Sequence, residues 1–405
     1  MISIQYDQND PETISNPYPL YDQLRSHDPV HWSEANNFWL LTRYSDVASV
    51  IRDDRVSSDR FRAISSDLPA EAQEQFAPFI NMVSAWMLMS DAPAHTRLRG
   101  LVNKAFTPRM IDNIRARIQE LVDGMLDAVQ DDGRFDLISA LANPLPGIVI
   151  AEMLGVPAED QPQFKKWSDD IAIGLTGNDT TGSRAERYLI GQKSFLELSD
   201  YFKPVVERLR SQPEDNLLSA MVQAEESGDT LSQEELFANC VLLMFAGQET
   251  TTNLIGNGIL ALLNFPDQME MLRNDPSLIV SATEELLRYD SPVQKLGRMA
   301  IEDIEVDGKK IAKGDLIIFC YAAANRDPEE FQFPNQLDLS RTNNRHMAFA
   351  HGTHYCLGAA PARLEGQISI NAVVQRMPNL KLESDDLEWN PSAILRGLKS
   401  LSVSF

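Results

Sequence analysis

The chain has 405 residues, 43% of them hydrophobic and 23% charged, the composition of an ordinary globular protein and not of a disordered, collagenous or disulfide-dense one. Its 36 Lys and Arg against 59 Asp and Glu leave a formal net charge of −23, which repels phosphate backbones and anionic headgroups, so neither nucleic acid nor a membrane surface is expected as a general partner. Three cysteines, Cys240, Cys320 and Cys356, cannot build a disulfide framework, and a reducing cytoplasm is the expected location.

Residues 1–12 are polar and acidic, without the basic and apolar regions of a secretory leader. A β-like run at 38–42 follows, helical patterns dominate from about 94 to 290, and further β-like runs gather between 298 and 321 and at 398–405. The apolar stretch at 137–156 is broken by Pro144 and Pro146, and the one at 236–247 contains Asn239 beside Glu235 and Glu249, so neither can span a bilayer. With no repeat, low-complexity tract or Gly/Ser linker, the expectation is a single, mainly α (α+β) domain over residues 1–405.

Three helices carry residues of chemical interest. The first opens at Ser232, whose hydroxyl caps it while Glu235 reaches back, and it need not end before Pro266. That is roughly 50 Å at 1.5 Å per residue. Its apolar run 236–246 meets Gly247, Gln248, Glu249 and three threonines, weak helix formers that predict a kink or opened turn. The second begins with Asp275 as cap and Pro276 as first residue, carries Glu284, Glu285 and Arg288, and stops before Pro292. The third follows Cys356 and runs to about Arg376.

The densest cluster of unusual residues is 349–358, Phe-Ala-His-Gly-Thr-His-Tyr-Cys-Leu-Gly. Gly352 and Gly358 frame Cys356 just before a helix start, where free N–H groups and the positive end of the helix dipole stabilise a thiolate. Cys356 is therefore a candidate ligand or nucleophile. His346, His351, His354 and Cys356 can also be read as a zinc set, although their spacing fits no common structural zinc pattern.

At these residues the sequence resembles a known family. Phe349-x-x-Gly352-x-His354-x-Cys356-x-Gly358, the segment Ala246-Gly247-Gln248-Glu249-Thr250 and Glu285-x-x-Arg288 are similar, in order and spacing, to the signatures of soluble bacterial cytochrome P-450 haem-thiolate monooxygenases. His95-Thr96-Arg97-Leu98-Arg99, Arg298, 324–328 and 395–398 extend the resemblance over the whole chain. It implies the cytochrome P-450 fold, a triangular helical body with small β-sheets, and haem b as cofactor. Cys356 becomes the proximal iron ligand, with Phe349 packed near the sulfur and Ala246 and Gly247 beside the macrocycle. Many relatives have Gly where this chain has Ala350.

The resemblance further implies that His95 and Arg99, four apart on one helical face, join Arg298 and His354 in holding the haem propionates. Glu249 and Thr250 are assigned to proton delivery to bound dioxygen. Glu285, Arg288 and Arg326 are assigned to a buried structural triad. The substrate pocket is expected from Phe79, Met82, Trp86, Met87 and Leu88, from Leu243 and Met244, from Val293 and Leu296, and from Ile394. These walls are apolar, as for a fatty acid, terpenoid, steroid or polyketide. The region 168–199, with Gly174, Gly177 and Gly182, is expected to act as a lid.

No flavin, nicotinamide or iron–sulfur fingerprint is present, so electrons must come from a separate ferredoxin or flavodoxin with its reductase. Lys104, Arg109, Arg115, Arg345 and Arg363 are the candidate docking cations on this otherwise acidic, presumed monomeric protein. A haem-binding sensor without turnover and a peroxide-driven enzyme are the competing readings.

Overall fold

A computed structural model describes residues 4–66, 68–106, 108–176, 183–226 and 231–405. The helices that bear on the site are α1 (Tyr18–His27), α2 (Ala94–Ala105), α3 (Arg184–Ser211), α4 (Gln233–Asn264), α5 (Ile279–Tyr289) and α6 (Ala359–Arg376). Seven of the strands frame it: β1 (Val30–Ser33), β2 (Phe38–Leu41), β3 (Arg134–Asp136), β4 (Lys295–Ala300), β5 (Leu316–Cys320), β6 (Lys381–Leu382) and β7 (Ser402–Ser404).

The long helix α4 starts as its sequence dictates. The Glu235 amide donates to Ser232 Oγ at 3.1 Å and the Ser232 amide to Glu235 Oε2 at 2.8 Å, satisfying two of the free donors at the helix start. It then runs to Asn264 without interruption, so residues 247–252, where weak propensity predicts an opened turn, are helical. Thr251, Thr252, Asn253, Leu254 and Ile255 are all buried, and packing of this kind overrides a few tenths of a kcal/mol per residue of propensity. Asp275 caps a short 3-10 turn, Pro276–Leu278, rather than α5 itself, which begins one residue later.

The chain folds into two compact units, each assembled from separated segments. The first comprises Met1–Val56, Arg115–Pro146 and Glu249–Phe405. In it β2 pairs antiparallel with β1 and parallel with β5, and β5 pairs antiparallel with β4, placing Arg298 opposite Ile317. A second sheet has the order β3-β7-β6. Helix α5 packs on α6. Arg396 donates to the carbonyls of Ile14 and Ser15 at 2.8 and 3.0 Å and so ties the last loop to the first helical turn, 382 residues away.

The second unit comprises Ser57–Ile114 and Gly147–Gln248. Its α3 lies along the helix Gln161–Thr176. Gly174 and Gly191 face the ring of Phe79, and a Cβ at either glycine would come within 2.9 Å of that ring. These glycines exist for close approach between helices. Gly177 and Gly182, named with Gly174 for the lid, lie outside the described residues.

Candidate functional site

The loop before α6 is built around its own backbone. Ala350 N–H donates to Met347 C=O at 2.8 Å, and Cys356 N–H donates to Phe349 C=O at 2.9 Å, closing the loop just before the helix. Both Ala350 and Gly352 are left-handed, with φ of 57° and 74°. Glycine adopts that conformation without strain and alanine does not. Cys240 and Cys320 are buried, whereas Cys356 is partly accessible. Burial pushes the Cys240 thiol up to about 12, so it is inert, while Cys356 sits at the start of α6 beside Phe349, Ala348, Ala359, Leu254 and Leu287.

Behind this loop lie two ion-paired clusters. Arg363 on α6 donates from Nε and Nη2 to the two carboxylate oxygens of Glu284 on α5, at 2.6 and 2.8 Å, and its guanidinium carbon lies 4.4 Å from the centre of the Phe349 ring. Burial alone would raise the Glu284 carboxyl, but hydrogen bonds from Arg363 and His346 outweigh it and hold the group at about 2. Arg363, expected on an electron-donor docking face, is half-buried and paired with Glu284. Arg345 is exposed, and the side chain of Arg109 lies outside the described residues.

In the second cluster Glu285 and Arg288 are fully buried. Arg288 donates to Glu285 from Nε at 2.8 Å and from Nη2 at 2.7 Å. The third member is Arg341, whose Nε donates to Glu285 Oε2 at 3.0 Å, and not Arg326 as the sequence reading expects. Arg326 instead donates to Tyr289 C=O and lies between the rings of Tyr18 and Tyr289, at 3.5 and 4.0 Å from their centres. Two aromatic faces beside a carbonyl satisfy its charge without a carboxylate.

Elsewhere in the first unit Arg298 is buried in β4, its Nη1 donating to Gly297 C=O at 2.9 Å. The post-helix segment and the C-terminal loop meet as expected: Gln294 N–H donates to Ile394 C=O at 2.8 Å and Val293 bridges Leu395, with Val293, Leu296 and Ile394 half-buried. Glu249 and Thr250 are half-buried on α4, and His354 is half-buried in the 3-10 turn of the cysteine loop.

In the second unit His95 is buried and Arg99 half-buried on one face of α2. An open groove of about 740 Å³ runs along that helix past Thr96, Arg97, Gly100 and Lys104. Met82, Trp86, Met87, Leu243 and Met244 are buried and Leu88 half-buried. Trp86 stacks on Phe245 of α4 at 5.8 Å and 27°. Phe79 is fully buried among Phe61, Tyr188, Gly174 and Gly191. Sequence reading passed over Asn239 as an interruption of an apolar run. Such a lone amide was the available signal, because a buried amide must find partners.

The donor set suits an iron porphyrin better than a bare ion. Among the described residues no group of three or more His, Cys, Asp or Glu is placed to hold a metal, which removes the zinc reading. Within the first unit, a partly accessible cysteine before a helix start and the buried Arg298 are what a flat, apolar, anionic macrocycle needs. Among the described residues no helix is long and apolar enough to cross a membrane.

Comparison with known proteins agrees. The family model for Cytochrome P450 matches residues 81–395. The chain is 39% identical to the polyketide biosynthesis cytochrome P450 PksS of Bacillus subtilis (strain 168), over 100% of this chain and 99% of that protein. It is 40% identical to a vitamin D(3) 25-hydroxylase of Pseudonocardia autotrophica, over 96% of this chain and 94% of the other. The crystal structure of P450BioI in complex with a hexadec-9Z-enoic acid ligated acyl carrier protein superposes with a TM-score of 0.88 at 37% identity, covering 97% of this chain and 100% of that one. The chain belongs to the cytochrome P450 family of monooxygenases, whose cofactor is haem b.

Proposed function

We propose that the protein hydroxylates or epoxidises a hydrophobic small molecule, most specifically a long acyl or polyketide chain, using dioxygen and electrons from a separate ferredoxin or flavodoxin with its reductase. The observation that carries this reading is the partly accessible Cys356 just before α6, in a loop closed by its backbone amide on the Phe349 carbonyl. Cys356 would hold haem b there, and the group would supply the redox chemistry for dioxygen activation and oxygen insertion.

The chain's own residues supply the rest. Cys356 presents an anionic sulfur stabilised by the helix start. His95, Arg99, Arg298 and His354 offer donors to the propionates. The Thr250 hydroxyl donates towards the oxygen site and the Glu249 carboxylate relays protons to it, and this acid–alcohol pair favours dioxygen over a peroxide-only route. Trp86, Met87, Leu88, Val293, Leu296 and Ile394 orient an apolar substrate and exclude water. The polyketide assignment of one relative and the acyl carrier protein bound to another support the acyl or polyketide class and make carrier-bound delivery part of the proposal. A cytoplasmic location is part of the same reading.

The reduced protein under carbon monoxide is expected to show the red-shifted thiolate band, and Cys356→Ala to abolish it; a nitrogen-ligated spectrum overturns the reading. Free and carrier-bound acyl chains, steroids and macrolides are then compared by substrate-induced spin shift and product analysis. A protein that binds haem but turns nothing over would be the sensor alternative. Thr250→Ala is expected to keep substrate binding while diverting reduced oxygen to peroxide, and unchanged coupling would remove the proton-delivery assignment.

A further inference from the structure

We propose that the Glu284–Arg363 ion pair, laid against the face of Phe349, is a positioning element that sets the reduction potential of the haem held by Cys356; this rests on Cys356 being the iron ligand. Arg363 is joined to the cysteine loop on two sides. Its Nη1 donates to Tyr355 Oη at 3.1 Å, one residue before the cysteine, and its guanidinium carbon lies 4.4 Å from the centre of the Phe349 ring. The carbonyl of that same Phe349 accepts the Cys356 amide at 2.9 Å.

Glu284 anchors the other end. Besides the two hydrogen bonds from Arg363, its Oε2 lies 3.2 Å from His346 Nε2, and His346 Nδ1 accepts the Ala348 amide at 3.2 Å, at the turn that leads into the loop. One carboxylate therefore fixes both the entry to the loop and the cation that covers its aromatic residue. A planar guanidinium can make a bidentate pair in its plane while presenting its face to a ring, and an ammonium cannot do both.

The pair is neutral overall but polar in direction. Its cation lies on the ring that packs beside Cys356, and its carboxylate lies beside the cation, in the guanidinium plane. With side chains only 30% and 25% exposed, the two charges are weakly screened. A cation near the site favours its reduced, more negative state, and an anion near it disfavours that state. Neutralising either partner therefore changes the field with opposite sign, which a mere loosening of the loop does not do.

The test is the midpoint potential of the holoprotein by spectroelectrochemical titration, with the carbon monoxide band recorded for every variant. Arg363→Gln should lower the potential and Glu284→Gln should raise it, each by at least a threefold change in the oxidised-to-reduced ratio, about 30 mV at ~59 mV per tenfold for one electron. The double variant should return towards the parent, and Arg363→Lys should recover most of the Arg363→Gln shift. Both single variants moving the same way, or neither reaching threefold, overturns the proposal. If Arg363→Gln does not retain haem, Glu284→Gln decides alone: an upward shift supports the proposal, and an unchanged or lower potential overturns it. A parent protein without the thiolate band would instead refute the Cys356 assignment.

Discussion

Asn239 of α4 holds the loop before α2 by both ends of its amide: its Oδ1 accepts the Met87 amide at 3.0 Å and its Nδ2 donates to Ala85 C=O at 3.3 Å. The same Nδ2 donates to Glu235 C=O one helical turn back, at 2.8 Å, which fixes the rotamer. The loop so held carries Trp86, Met87 and Leu88, the residues proposed to face substrate.

Replacing Asn239 by Leu leaves the buried Met87 N–H without an acceptor, a cost of about 1–3 kcal/mol. Asn239→Leu is expected to lower thermal stability by that amount and to weaken substrate binding by about tenfold, or ~1.4 kcal/mol, because the loop loses its register. Spin-shift titration checks it: affinity unchanged in a destabilised variant would mean that the loop does not shape the pocket.

Arg288 is fully buried and its charge is met by one carboxylate, so Glu285→Gln leaves an uncompensated buried cation. Such losses cost about 3–5 kcal/mol. Poor haem retention and a large drop in the urea midpoint are expected. Arg341→Met, which leaves the Glu285–Arg288 pair in place, should cost clearly less. Equal losses in the two variants would show that Arg341 is as essential to the cluster as the carboxylate.

Ala350 holds φ of 57° in the cysteine loop. Alanine in that region is disfavoured by more than glycine's extra freedom in the unfolded chain offsets, so Ala350→Gly should stabilise the holoprotein by about 1 kcal/mol. Calorimetry of both proteins decides, and a lowered melting temperature would show that the methyl group packs favourably enough to outweigh its strain.

Glu365 on α6 is buried, and burial pushes its carboxyl from 4.5 up to about 8. Among the described residues its Oε2 has no hydrogen-bond partner. Between those two values the folded protein keeps a proton that the unfolded chain gives up, so stability falls as pH rises through the window, by at most ~1.4 kcal/mol per pH unit. Glu365→Gln should match the parent near pH 4 and exceed it by on the order of 2 kcal/mol at pH 8. Urea unfolding across that range checks it; parallel curves would mean that the carboxylate is already compensated in the fold.

Local chemistry was legible in the sequence and partner choice was not. Gly352, Cys356 and Gly358 announce their loop because the turn, the thiol and the helix start are neighbours in the chain. The capping box at Ser232 and Glu235 was readable for the same reason. The partner of Glu285 was not: Arg326 and Arg341 are equally plausible cations by composition, and only the fold places one on the carboxylate and the other between two tyrosines. The unbroken course of α4 through Gly247 and the threonines likewise depends on burial that propensity cannot register. Phe79 resembled a pocket residue by type, and only the glycines facing it show that it fills a helix contact.

Arg396 donates to the carbonyls of Ile14 and Ser15, and translation delivers these groups in the opposite order to their need. Every residue between 15 and 396 must be made before the guanidinium that holds these two carbonyls exists, so this closure of the first unit is a long-range contact of the kind that forms late in folding.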